Sequence, residues 1–89
     1  MMSDATINVL YFAWMREHTG TASEQITLPD GAKTVGDLMP LLMARSAGHA
    51  LALKNMVAVR VAVNRIYGDL KTSVAAGDEI AFFPPVTGG

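Results

Sequence analysis

The most chemically distinctive stretch of this sequence is its last nine residues, AFFPPVTGG, running from Ala81 to Gly89. Pro84 and Pro85 hold φ near one value and donate no backbone hydrogen bond, so sheet pairing should stop at about Phe83. An extended, polyproline-type path of ~3.1 Å per residue lets the six residues Pro84 to Gly89 reach roughly 19 Å. Gly88 and Gly89 lack a Cβ, so this end can enter a channel too narrow for any side chain. What such a tip presents is a terminal carboxylate. A carboxylate is a poor electrophile, whereas an acyl adenylate or thioester made from it is reactive. The chain contains no GxxxxGK[ST] loop to cradle ATP phosphates, so activation is expected from another protein.

Few other residues compete for chemistry. There are no cysteines, which excludes a thiol nucleophile, a persulfide and a thiolate metal site, and fits a reducing compartment. The histidines, His18 and His49, lie far apart without a supporting ligand pattern; they read as solvated loop and helix-end residues, and no metal site is expected. Arg16 and Glu17 have the look of a turn pair, and Asp78 and Glu79 of residues that shape and solvate a turn. With seven Lys and Arg scattered singly and a net charge of −1, the chain has no footprint for nucleic acid. No stretch approaches the ~20 apolar residues of a membrane span, and the N-terminus lacks the features of a signal peptide. The expected setting is the cytoplasm.

These residues need a scaffold. At 89 residues the chain is one small domain, and 51% hydrophobic with 17% charged residues supports a packed core. A chain of this size buries only roughly 60% of its unfolded surface, so packing must be efficient. TINVLYFAW, Thr6 to Trp14, is rich in β-branched and aromatic residues and predicts a first strand. REHTGTAS supplies a turn around Gly20, and Glu24 to Leu28 alternates as a second strand, making a hairpin. Thr34 to about Gly48 predicts a helix: Thr34 as N-cap, Asp37 completing a capping box, an apolar stripe of Val35, Leu38, Met39 and Leu42, and Gly48 as C-cap. Pro40 should kink it. Met39, Leu42 and Met43 read as core filling. VAVRVAVN, Val57 to Asn64, is the cleanest strand; RIYGDLKTSV holds a short strand and turns around Gly68. After a turn at Ala76 to Glu79, EIAFFP is the last strand.

Hairpin, helix and further strands are an α+β order, with one main helix covering one face of a mixed four- to five-stranded sheet. Residues 1–83 would form the globular domain and 84–89 an extended tail. Parity then sorts the side chains. The helix face takes Ile7, Val9, Tyr11, Ile26, Leu28, the four valines of VAVRVAVN, Ile80 and Phe82. The open face receives Leu10, Phe12, Trp14, Ala62, Ala81 and Phe83. An open face should be polar, and this one is apolar, the mark of a partner site.

The ending GDEIAFFPPVTGG, with VLYFAWMREHTG near the start and VAVN in the middle, resembles the small-subunit family of molybdopterin synthase, sulfur carriers with the ubiquitin-like β-grasp fold. The likeness spans nearly the whole chain, apart from Pro40 and WMREH. It implies that a ubiquitin-activating-like enzyme uses ATP and Mg²⁺ to adenylate Gly89, and that sulfur from a donor protein replaces AMP to leave a thiocarboxylate. It further implies that the carrier docks its tail in the large synthase subunit, within a heterotetramer, and that sulfur passes to cyclic pyranopterin monophosphate to build the molybdopterin dithiolene. The chain itself would bind no cofactor. Val86, Thr87 and Gly88 would touch the channel walls, and Phe12, Arg16, Tyr67 and Phe83 would form the partner interface. Related readings are a sulfur carrier for thiazole or tRNA thiolation and a conjugated protein modifier. A reading of another class is a β-grasp binding module with an inert tail.

Overall fold

The computed structural model describes residues 5–55 and 58–85 of the 89. Alternation in the first apolar stretch produces β1 (Thr6–Tyr11), with Ile7, Val9 and Tyr11 almost fully buried on one side. β2 (Ser23–Thr27) pairs antiparallel with it, Ile7 facing Ile26. The connection is not a tight turn. Ala13 adopts φ 56 and reverses the chain into a short helix, α1 (Trp14–Thr19), which ends on Gly20 at φ 81. Gly20 donates its N–H to the Arg16 carbonyl, a left-handed cap that suits glycine.

Two helices follow. α2 (Val35–Met43) starts with the expected capping box: Thr34 Oγ1 accepts from Asp37 N–H, and Asp37 returns bonds to the N–H groups of Thr34 and Lys33. Val35, Leu38, Met39 and Leu42 are its buried stripe, while Pro40 stands on the exposed side. The single helix expected to run to Gly48 is instead broken. The chain leaves α2 at Ala44, and Ser46 caps a new helix, α3 (Ala47–Leu53), by accepting from His49 N–H. A serine hydroxyl at an N-cap competes well with helix continuation, which explains the break. Gly48 is therefore no C-cap. It lies in the first turn of α3, where any Cβ would run into the His18 carbonyl of α1.

β3 (Arg60–Val63) is shorter than the valine alternation suggested: Asn64 already belongs to a turn, and Val57 lies outside the described residues. β4 (Ile66–Gly68) returns antiparallel, and β5 (Glu79–Phe83) runs between β1 and β3, parallel to β1 and antiparallel to β3. The sheet order is β2-β1-β5-β3-β4. This is the α+β, ubiquitin-like β-grasp arrangement, with the helical layer divided among three short helices on one face.

The core lies between that layer and the sheet, where Tyr11, Met15, Leu38, Leu42, Leu53, Ile80 and Phe82 are sealed from water. Trp14 departs from the parity expectation. Strand alternation ends before it, and as the first residue of α1 it packs partly buried against the core instead of facing out. Among the described residues, no helix is long and apolar enough to cross a membrane.

Candidate functional site

The uncovered sheet face carries the site, and strand register assembles it. Leu10 stands opposite Ala81, Ala81 opposite Ala62, and Ala62 opposite Tyr67, one row across four strands. One step along, Phe12 N–H donates to the Phe82 carbonyl (3.1 Å), which carries the Phe12 ring to the level of Phe83. Phe83 also meets Tyr67, ring centroids 5.6 Å apart. Two alanines at the centre with larger groups around them make a groove. Ala62 and Ala81 are its shaded floor; Leu10, Phe12, Tyr67 and Phe83 rise as walls, and Pro84 and Pro85 close one end. Its volume is about 680 Å³. Phe12 is 48% exposed and Tyr67 75%, a large apolar surface for a small domain to leave in water.

The expected interface residues divide. Phe12, Tyr67 and Phe83 come together in this groove. Arg16 is exposed on α1 and is not among the residues lining it. Val86, Thr87, Gly88 and Gly89 lie outside the described residues. β5 ends at Phe83, and the half-buried Pro84 and Pro85 that follow line the groove.

Two charged residues of the groove were not legible as such. Glu79, expected to shape and solvate a turn, begins β5 and lines the groove, while Asp78 does shape the turn by accepting from Ala75 N–H and Asn64 Nδ2. Arg65 also lines it. The signal that could have found Arg65 is the pair Asn64-Arg65 standing between two strand-like segments, the length of a two-residue hairpin turn.

Behind the groove, on the helix side, sits a polar cluster that sequence reasoning missed. The Tyr11 hydroxyl donates to Glu24 Oε2 (2.7 Å), and the same oxygen lies 2.6 Å from His49 Nε2. Arg45 reaches Glu24 Oε1 at 3.3 Å, and Ser46 Oγ holds His49 Nδ1 at 2.7 Å. His49, expected in solvent, is 6% exposed. Burial opposes ionisation of Glu24, but the hydrogen bonds from Tyr11 and His49 and the Arg45 charge outweigh it and hold its pKa below the usual value. Burial, reinforced by the Glu24 carboxylate, raises the Tyr11 pKa. A tyrosine at an inward strand position was the available clue, because a buried phenol needs a partner. The Tyr11 ring stacks on Phe82 (6.2 Å), so this cluster braces the sheet under Phe12 and Phe83. Among the described residues, no three His, Cys, Asp or Glu side chains gather to hold a metal ion.

The whole chain has relatives among known proteins. Residues 9–89 match the ThiS family. The chain belongs to that family. It is 42% identical over 83 residues to the molybdopterin synthase sulfur carrier subunit of Haemophilus influenzae, covering 93% of this chain and 99% of that one. Among solved structures it resembles small archaeal modifier protein 1 of Haloferax volcanii, at 31% identity and a TM-score of 0.72, covering 92% of this chain and 99% of that one. It shares its fold with a chain of the complex of subunits 1 and 2 of the molybdopterin-converting factor of Helicobacter pylori, at 22% identity and a TM-score of 0.65, covering 94% and 99%.

Proposed function

We propose that this chain is the sulfur carrier subunit of a molybdopterin synthase, with the Gly89 carboxylate as the group that is transformed. An adenylating enzyme related to ubiquitin-activating enzymes, using ATP and Mg²⁺, joins that carboxylate to AMP and releases pyrophosphate. A sulfur nucleophile from a donor protein displaces AMP and leaves a thiocarboxylate. The carrier then docks on the large synthase subunit, in a heterotetramer, with Val86, Thr87 and Gly88 threading a channel toward cyclic pyranopterin monophosphate. Sulfur bonds to the pterin side chain, water cleaves the acyl–sulfur bond, and the carboxylate returns. The chain contributes the handle and the docking face, and the ATP site and the pterin site belong to its partners. Such a cycle runs in the cytoplasm, where ATP is available.

The observation that carries this reading is the apolar groove of Phe12, Phe83, Pro84 and Pro85 at the root of the segment that ends in Gly-Gly. A partner drawn to that groove meets the tail in the same encounter. The likeness to the Haemophilus influenzae carrier subunit, almost end to end, supports it. The test is intact-mass measurement after incubation with the adenylating enzyme, ATP and a sulfur donor. A gain of about 16 Da, sulfur for oxygen, is expected at the terminus; an unchanged mass beside a competent control overturns the reading.

The likeness to small archaeal modifier protein 1 favours a second reading, attachment of Gly89 to other proteins. Recovery of the chain in isopeptide linkage to lysines, with no large subunit co-purifying, would favour it over the first.

A further inference from the structure

We infer that Arg65 is a second anchoring point of the docking face: it forms an ion pair with an acidic side chain of the large subunit and fixes the carrier's orientation there. The inference rests on the sulfur-carrier reading and concerns a residue that reading does not require.

The first observation is a backbone cost. Asn64 and Arg65 are the central residues of the β3–β4 hairpin, between the paired Val63 and Ile66, with φ of 52 and 71. Both positions of such a turn need positive φ. Asn is favoured at the first and Gly at the second, because a Cβ there is crowded. Arginine is a poor choice for the second position on local grounds, so its side chain should have a use elsewhere.

The second observation is that no such use shows among the described residues. Among the described residues, the Arg65 guanidinium has no hydrogen bond or ion pair. The turn is held without it. Asn64 Nδ2 donates to Asp78 Oδ1 (2.9 Å), Glu79 N–H donates to Asn64 Oδ1 (2.9 Å), and Asn64 N–H donates to the Glu79 carbonyl (2.8 Å). These bonds pin the turn against the start of β5 and so set Arg65 beside the groove it lines.

The third observation is distance. Asn64, next to Arg65 in the turn, is level with Glu79, whereas β5 ends at Phe83, four residues further along. At ~3.3 Å per residue the two ends of the groove lie about 13 Å apart. The four residues from Val86 to Gly89 span at most about 14 Å. A protein that takes Gly89 into a pocket therefore comes within about 14 Å of Pro85, one of the residues lining the groove. An apolar floor alone allows several orientations; a cation at the end remote from the tail selects one. A carboxylate on the covering protein is the group that matches a guanidinium with no partner among the described residues.

The test compares full-length wild type, Arg65→Gly and Arg65→Glu in melting temperature and in affinity for the purified large subunit at low and high salt. Arg65→Gly relieves the left-handed position, so its melting temperature should hold or rise. Its affinity should fall about fivefold to tenfold, with a weaker dependence on salt than wild type. Arg65→Glu should bind more weakly still. Opposite signs in stability and binding are the signature that a merely structural arginine would not produce. An Arg65→Gly protein that binds within twofold of wild type with the same salt dependence overturns the inference, and so does one that binds weakly only because it has lost stability. A wild-type chain that fails to bind the large subunit at all refutes the carrier reading itself.

Discussion

His49 Nε2 lies 2.6 Å from Glu24 Oε2, joining helix α3 to the edge strand β2 between residues 25 apart in sequence. That single contact ties α3 to a strand with only one neighbour in the sheet. Tyr11 donates to the same oxygen and Arg45 reaches the other, so one carboxylate holds a strand, a helix and the α2–α3 connection.

The cluster makes stability depend on pH at both ends. Glu24 has a folded pKa below its ordinary value of 4.5, so its contribution is present above that pH and is lost as pH falls through the folded pKa. Tyr11 has a folded pKa above its ordinary 10.0, so its contribution is full below that pH and fades as pH rises through the folded pKa. Urea unfolding across pH should show both limbs. Asp37, whose pKa is lowered by the backbone N–H groups of Lys33 and Thr34, adds to the acid limb. The comparison that isolates the cluster is therefore with Glu24→Gln, which should flatten part of the acid limb and cost about 2 kcal/mol near neutrality. An unchanged acid limb would show that the contact does not hold in solution.

Phe12 and Phe82 are joined by a backbone hydrogen bond yet face opposite sides of the sheet. Phe82→Ala should cost about 3–5 kcal/mol, because the ring is fully enclosed. Phe12→Asp should change stability by less than ~1 kcal/mol while lowering affinity for the large subunit at least about tenfold. Circular dichroism melts and titration calorimetry on the two variants read both quantities. The reverse pattern would mean that the faces are exchanged.

Gly48→Ala tests the contact between α1 and α3. In an exposed helix this change is stabilising by about 0.5–1 kcal/mol. Here the new methyl would meet the His18 carbonyl, a backbone atom that yields only if α1 moves. Net destabilisation of about 1–3 kcal/mol is expected in urea titrations. A gain in stability would show that the two helices sit further apart.

Extending the chain beyond Gly89 tests the handle itself. One added residue replaces the reactive carboxylate with an amide and moves the new terminus outward. The thiocarboxylate mass gain at Gly89 should vanish, and sulfur transfer in a reconstituted synthase should fall to background. Full activity of the extended protein would remove the chemical basis of the carrier reading.

How much of this was legible beforehand follows from the range of the interactions involved. Strand alternation put Ile7, Val9, Tyr11, Ile80 and Phe82 inward and Leu10, Phe12, Ala62, Ala81 and Phe83 outward, because side-chain direction along a strand depends only on position. The Thr34–Asp37 capping box was equally plain, since both partners lie within one helical turn. The end of β5 at Phe83 was legible too, because Pro84 and Pro85 donate no backbone hydrogen bond.

Other features depended on contacts between residues distant in sequence, and only the tertiary structure decided them. Trp14 turned inward because Ala13 reverses the chain so that α1 can pack on the core, and Gly48 came to lie against the His18 carbonyl where α3 meets α1. His49 found Glu24, and Arg65 reached a groove made of four other segments. Local geometry is written residue by residue; a buried polar partner or a shared groove exists only once strands and helices have fixed their distances in space.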